Sequence, residues 1–257
     1  MSGVIFLSDN LVNDASITVT TGTANAQFPV TNIQNESPSL KFGSVGNTVV
    51  LEFDMGQTRA MDFVSLVGDP TGDFGLTAAE LKTAVTNNFS GSTPINIPLS
   101  SDHNIGYVGF TEVSHRFAQL TLTGTGVYSE LSNIFIGKKI NITQNNLSIG
   151  SFRYGYTDKS VVRRNRYGQH FIDERNLVKF ISGSIEYATK DEQETLDDMF
   201  IRHSRHEPVW MIVDQNSDGM NVGNYKLAIY GYLDRSPRWS ANGGQTYTAQ
   251  VRLLEAI

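Results

Sequence analysis

Cysteine is absent from the 257 residues, so neither disulfides nor thiolate-held metals support the fold, and a reducing compartment suits its maturation. Long apolar runs are missing too. Val4-Ile5-Phe6-Leu7 is short and lacks a basic leader, so it does not read as a secretory signal. No stretch approaches membrane-spanning length, and no membrane insertion is expected. Catalytic signatures are equally scarce: there is no glycine-rich phosphate loop, no G-x-S-x-G elbow and no H-E-x-x-H. Carboxylates are scattered, so no glycosidase pair stands out. The chain reads as a non-enzyme with no cofactor, because chemistry must be argued from a site and none is visible.

Positive charge is in short supply and unevenly placed. The net charge is −6; residues 1–140 carry 6 Lys+Arg against 12 Asp+Glu, and residues 141–257 carry 14 against 14. An acidic half beside a balanced half argues against specific nucleic-acid binding. The shift also suggests two domains, residues 1–140 and 141–257, with a boundary near the Lys138-Lys139 pair and the polar run after it. Apolar residues make up 39% and charged residues 18%, enough apolar surface for packed cores.

What is present is a β-pattern. Around residues 48–54, Val49, Leu51 and Phe53 alternate with Val50, Glu52 and Asp54, the period of a half-buried strand. Met55-Gly56-Gln57 reads as a turn into a second strand over residues 61–67, which stops at Gly68-Asp69-Pro70. A strand is expected at 16–20. Residues 76–88 are ambiguous: Thr77-Ala-Ala-Glu80 fits a capping box, whereas the order of elements favours a strand, the reading adopted. Further strands are expected at 95–97, 107–110, 115–123 and 131–137. In order, the Asn/Ser/Pro-rich lead-in, the LEFDMG strand, the following VSLVG strand, HRFAQLTLTG and LSNIFIG resemble the galactose-binding-like (discoidin-type) jelly roll over residues 28–140.

The second half has a different texture. Strands are expected at 151–156, 176–187, 208–213, 225–233 and 245–255. The clearest helix spans 189–203, opening on a Thr189-Lys-Asp-Glu192 capping box and placing Leu196, Met199, Phe200 and His203 on one stripe. This order, with PVWMIVD, a loop, YKLAIYGYL and a terminal strand, resembles C-terminal regions of tailed-bacteriophage tail proteins of the distal-tail type. The expected fold is therefore mainly β: a jelly-roll sandwich, then a tail-tube-like module with one short amphipathic helix.

Three local patterns could hold a site. Asp214, Asn216, Asp218 and Gly219 fit the first half of an EF-hand loop, but position twelve is Tyr225 where a glutamate is required, and an Asx-turn loop fits as well. His203 and His206 form H-x-x-H at a helix end, short of the four ligands a structural zinc needs. Arg163, Arg164 and Arg166, beside Tyr167, form the only basic cluster. They fit either a solvated loop or a contact with an acidic patch on a neighbouring subunit.

The tail resemblance implies a virion structural protein at the distal end of a phage tail, assembled in the host bacterial cytoplasm. Its partners would be copies of itself in a ring, tail-tube, hub or fibre proteins, and a host-surface glycan. The jelly-roll resemblance implies an alternative, a carbohydrate-binding module without catalysis. Lectin sites stack aromatics on sugar faces, and the end loops at 28–46 and 68–75 supply only Phe28, Phe42 and Phe74, with both tryptophans, Trp210 and Trp239, in the other half.

Overall fold

The computed structural model describes residues 3–35, 37, 39–68, 75–102, 104–124, 128–142, 152–164, 166–167, 169–175, 177–203, 207–214, 225–244 and 246–256. Seventeen strands and one α-helix are present among them. The first nine strands are β1 (Gly3–Leu7), β2 (Ser16–Ala24), β3 (Phe42–Gly68), β4 (Leu76–Ala84), β5 (Ile95–Asn96), β6 (Leu99–Ser100), β7 (Ile105–Gly124), β8 (Tyr128–Gly137) and β9 (Ile140–Ile142). Then come β10 (Arg153–Asp158), β11 (Val161–Arg164), β12 (His170–Asp173), β13 (Leu177–Ala188), α1 (Lys190–His203), β14 (Val209–Asp214), β15 (Ala228–Leu233), β16 (Trp239–Ala241) and β17 (Tyr247–Glu255). The mainly β expectation holds.

The front sheet is built on β3 and β7, with β2 on one side, β4 and β5 on the other, and β6 and β8 attached. Two strands with a turn at Gly56 were expected; instead β3 runs unbroken over residues 42–68. Its partner β7 is likewise one strand where two were expected, and it pairs with both halves of β3. The ladder is interrupted between Asp54 and Arg59. There Gly56 takes φ +73° and donates its N–H to the Asp54 carboxylate, so the turn signal was real but marks a bulge, which bends a strand without ending it. Arg116 of β7 grips that same carboxylate with two bonds of 2.7 Å. Residues 76–84 are a strand, as the element order required. Because Phe42 and Gly68, the two ends of β3, both pair with Leu131 of β8, the sheet curls over its core. That core is made by Phe42, Leu51, Phe53, Met61, Leu81, Leu120 and Ile134 among others.

The back sheet has the order β10-β13-β17-β15-β14-β1-β9, with β16 beside β17. Its inner strand β1 comes from the N-terminus, in register with β14 from Gly3↔Asp214 to Leu7↔Trp210. The division at residue 140 therefore does not separate the sheets: residues 3–7 belong to the back sheet. The reason is in the strand's composition. Val4, Ile5, Phe6 and Leu7 are all at most 1% exposed, a strand buried on both faces, which must be apolar throughout. Val4 and Phe6 face α1, packing with Leu196, Met199, Phe200 and Met211. Ile5 and Leu7 face the front sheet, packing with Phe63, Tyr107, Phe135, Trp210 and Tyr230.

Helix, back sheet and curled front sheet thus form three layers with apolar contact at both junctions. Tyr107 of the front stacks near Phe63 and meets the ring of Tyr225 edge-on at 5.3 Å. The link from β1 into the front is tied down by Asn10, whose amide donates to the Ile134 carbonyl at 2.7 Å and accepts from the Ile136 N–H. The helix has its capping box: Thr189 Oγ1 accepts from Glu192 N–H at 3.3 Å, and the Glu192 carboxylate accepts from Thr189 N–H at 2.8 Å. Its stripe Leu196, Met199, Phe200 and His203 is buried as the spacing required. Residues 225–227, expected to open a strand, form a 3₁₀ turn before β15.

Candidate functional site

The surface that distinguishes this molecule lies at one end of the back sheet. Strand β10 pairs with β13 alone, so one of its edges is unpaired among the described residues. An open edge of this kind presents backbone donors and acceptors to any strand that approaches. Beyond the Asp158↔Leu177 end of the β10–β13 ladder, the same two chain segments pair again as a separate two-stranded hairpin of β11 and β12. Val162 and Ile172 pair directly across it and are 60% and 61% exposed. Tyr154, Tyr156, Tyr167 and Leu177 add exposed apolar surface nearby in the chain.

The arginines singled out in sequence fall on this hairpin. Arg163 and Arg164 end β11 and are exposed. Arg166 lies over the Tyr167 ring at 4.8 Å and donates to its hydroxyl. The base of the hairpin is fixed: Ser160 N–H donates to Asp158, Arg175 N–H donates to Ser160 Oγ, and Arg175 pairs with Asp173 at 2.9 Å. Hydrogen bonds from Ser160 hold the Asp158 carboxyl below the usual carboxylate range. An exposed apolar pair on an anchored hairpin, flanked by guanidiniums, can bury itself only against another surface.

A second feature adjoins it, and sequence reasoning missed it. On the face of the back sheet turned away from α1, the front sheet covers the central strands, and among the described residues nothing covers β10 or the near parts of β13 and β17. There Arg153, Ser182 and Arg252 form one rung across β10, β13 and β17. Arg252 stacks on Phe180 at 4.8 Å and meets Asp234 at 3.5 Å. Arg235 lines the hollow of about 660 Å³ that holds Arg153 and Arg252, and it also lines an adjoining hollow of about 620 Å³ that Arg238 borders, so the two make one trough with Arg235 between them. Only the register reveals the group, since its members come from three strands and a loop about 100 residues apart in sequence.

The other candidates come apart. Asp214 ends β14 opposite Gly3, while Asn216 and Asp218 lie outside the described residues. Among the described residues no three His, Asp or Glu side chains converge as metal ligands would. His203 is buried on the helix stripe, with Nδ1 3.1 Å from Glu207; His206 lies outside the described residues. At the jelly-roll end, Phe42 is fully buried, and Phe28 packs against Gly43 with the Lys41 ammonium 5.2 Å over its ring. Lys41 is itself held by Glu130 at 2.6 Å. Phe74 lies outside the described residues.

No family model matches the chain, and no curated protein matches it. Among solved structures, it is similar in part to a family 32 carbohydrate-binding module of Clostridium perfringens in complex with GalNAc-β-1,3-galactose (TM-score 0.43, 10% identity, covering 51% of this chain and 100% of that one). It is similar to a chitosan-binding module from a Paenibacillus chitosanase/glucanase (0.41, 14%, 51% and 99%). It is also similar to the lectin domain of lectinolysin complexed with Lewis B antigen (0.43, 11%, 51% and 96%). The ligands in those complexes are properties of those modules.

Proposed function

We propose that this chain is a non-catalytic structural subunit that assembles with copies of itself through the open end of its back sheet. Its place, on this reading, is the distal end of a tailed-phage tail, in a ring that contacts tube, hub or fibre proteins while the jelly roll faces outward. The observation that carries the proposal is the β10 edge, unpaired among the described residues, together with an anchored hairpin that exposes Val162 and Ile172. Monomeric proteins usually blunt such edges and avoid contiguous apolar patches; a head-to-tail ring buries both in every copy. In this arrangement the arginines of the hairpin meet carboxylates of the next copy. Reversing Arg163, Arg164 and Arg166 to Glu in the full chain then weakens assembly in sedimentation velocity; unaltered assembly of the triple variant removes the hairpin from the interface.

A second reading, glycan recognition by the front domain, is the one the structural neighbours agree with, since they are carbohydrate-binding modules and a lectin domain, whereas none of them is a tail protein. Phe28 is half-exposed among Asn25, Lys41 and Glu130, an aromatic with polar neighbours of the sort sugar sites use. Lys41 stands 5.2 Å over its ring, so a sugar stacked on that face would have to displace the ammonium. A glycan array probed with the full chain decides: specific binding abolished by Phe28→Ala promotes the lectin reading, and a blank array retires it.

A further inference from the structure

The two sides of the back sheet carry opposite charge, and their chemistry fits one to the other across copies. On one side lies α1. Its outward residues include Asp191, Glu194 and Asp198, spaced i, i+3 and i+7 along one exposed stripe, with Ile201, 71% exposed, continuing it. Two cations share that face: Lys190 reaches Glu194 at 3.5 Å, and Arg202, one turn beyond Asp198, is paired with Asp9 at 2.8 Å. On the other side lies the arginine trough. Arg153, Arg235 and Arg238 are exposed and have no carboxylate partner among the described residues. Arg252 shares Asp234 while stacked on Phe180, which fixes its guanidinium at the trough wall.

We infer that the trough of Arg153, Arg235, Arg238 and Arg252 docks the acidic stripe of α1 from a second copy of this chain. Charge complementarity, on a face that no described residue covers, selects this occupant. The front sheet closes the central strands of this side through Ile5, Leu7, Trp210 and Tyr230, and among the described residues β10 and the near parts of β13 and β17 stay uncovered. The rung Arg153–Ser182–Arg252 sets two guanidiniums on either side of a serine. Neighbouring strands lie about 4.8 Å apart, so the stems stand about 10 Å apart, and a carboxylate-bearing ridge fits between them. Guanidinium is suited to this because its fork engages carboxylate bidentately and is less strongly hydrated than ammonium. The contact is heterologous, helix side to trough side, so successive copies add head to tail into a ring or filament, not a closed two-fold dimer.

This inference rests on the self-assembly reading and names its contact, and one experiment separates the two. Sedimentation velocity of the full chain is compared with Arg153→Glu/Arg235→Glu/Arg238→Glu, with Glu194→Arg/Asp198→Arg, and with the two variants mixed. All changed side chains are exposed, and far-ultraviolet circular dichroism checks each fold. Each variant alone should associate at least about tenfold more weakly, the scale of a few close charge pairs. The mixture should recover association, because each variant supplies the face the other has lost. Raising salt from 0.1 M to 0.5 M should also weaken the wild type by screening. Assembly that persists in both variants overturns the docking while leaving self-assembly intact. Loss without recovery in the mixture also overturns it. A wild type that remains monomeric removes the self-assembly reading itself. If inorganic phosphate or an acidic polysaccharide binds the trough of a monomeric wild type, the occupant is a free anion and the inference fails.

Discussion

Phe6→Ala tests whether five N-terminal residues hold the back of the molecule together. Phe6 is 0% exposed and meets Phe200 of α1 edge to face, with centroids 5.8 Å apart and planes at 89°. Removing the ring leaves a cavity between sheet and helix. A buried Phe→Ala substitution costs about 3–5 kcal/mol, part of it the void that the surroundings do not fill. The aromatic pair accounts for about 0.5–1.5 kcal/mol within that figure. For a chain of this size each kcal/mol lowers Tm by about 2–4 °C, so the melt should shift by about 6–20 °C. The assay is tryptophan fluorescence, since Trp210, 1% exposed, stands opposite Leu7 in the register. Both tryptophans lie in the back sheet, so the signal reports the layer that β1 enters. A shift below about 2 °C would refute the reasoning, because a residue outside the cooperative core behaves that way.

Thr189→Ala removes the helix cap, leaving Glu192 N–H without its acceptor; urea denaturation should show a loss of about 1 kcal/mol. Gly231 of β15 lies so close to the Leu254 carbonyl of β17 that a methyl group there has no room; Gly231→Ala should destabilise by about 1–3 kcal/mol through overpacking, and an unchanged urea midpoint would show that the strands can part. Burial pushes the Asp62 carboxyl up, against the hydrogen bond it accepts from Lys139 N–H and the nearby charges of Lys139 and Lys138, with Glu112 adding to the rise. The folded chain thus holds this proton more tightly than the unfolded one, so this group's contribution to stability falls as pH rises from the unfolded carboxylate range through the folded pKa. Asp62→Asn keeps an acceptor for Lys139 and should flatten that slope; urea midpoints between pH 3.5 and 7 that fall as steeply in the variant would contradict the assignment.

Local patterns in the sequence were legible wherever one residue's neighbours decide its state. The capping box at Thr189, the stripe from Leu196 to His203 and the alternation through Val49, Leu51 and Phe53 all appear as their spacing requires. Gly56 was legible as a break but not as a bulge, because only the partner strand decides whether a kinked segment stays in its ladder. The membership of Val4–Leu7 was hidden for the same reason. An unbroken apolar tetrad says that both faces are buried, but the partner, β14, lies about 200 residues away. The arginine trough is a product of register across three strands, which no single-strand pattern encodes. Arg163, Arg164 and Arg166 were found because they are contiguous in sequence.

On the proposed reading, another copy of the chain completes the open end of the back sheet. The native mass of the full-length protein, measured by light scattering or native mass spectrometry across a concentration series at 0.1 M salt, tests it most directly. A discrete multiple of the 28.4 kDa chain mass is expected, dissociating on dilution or at high salt. A mass that stays at one chain up to millimolar concentration would contradict it.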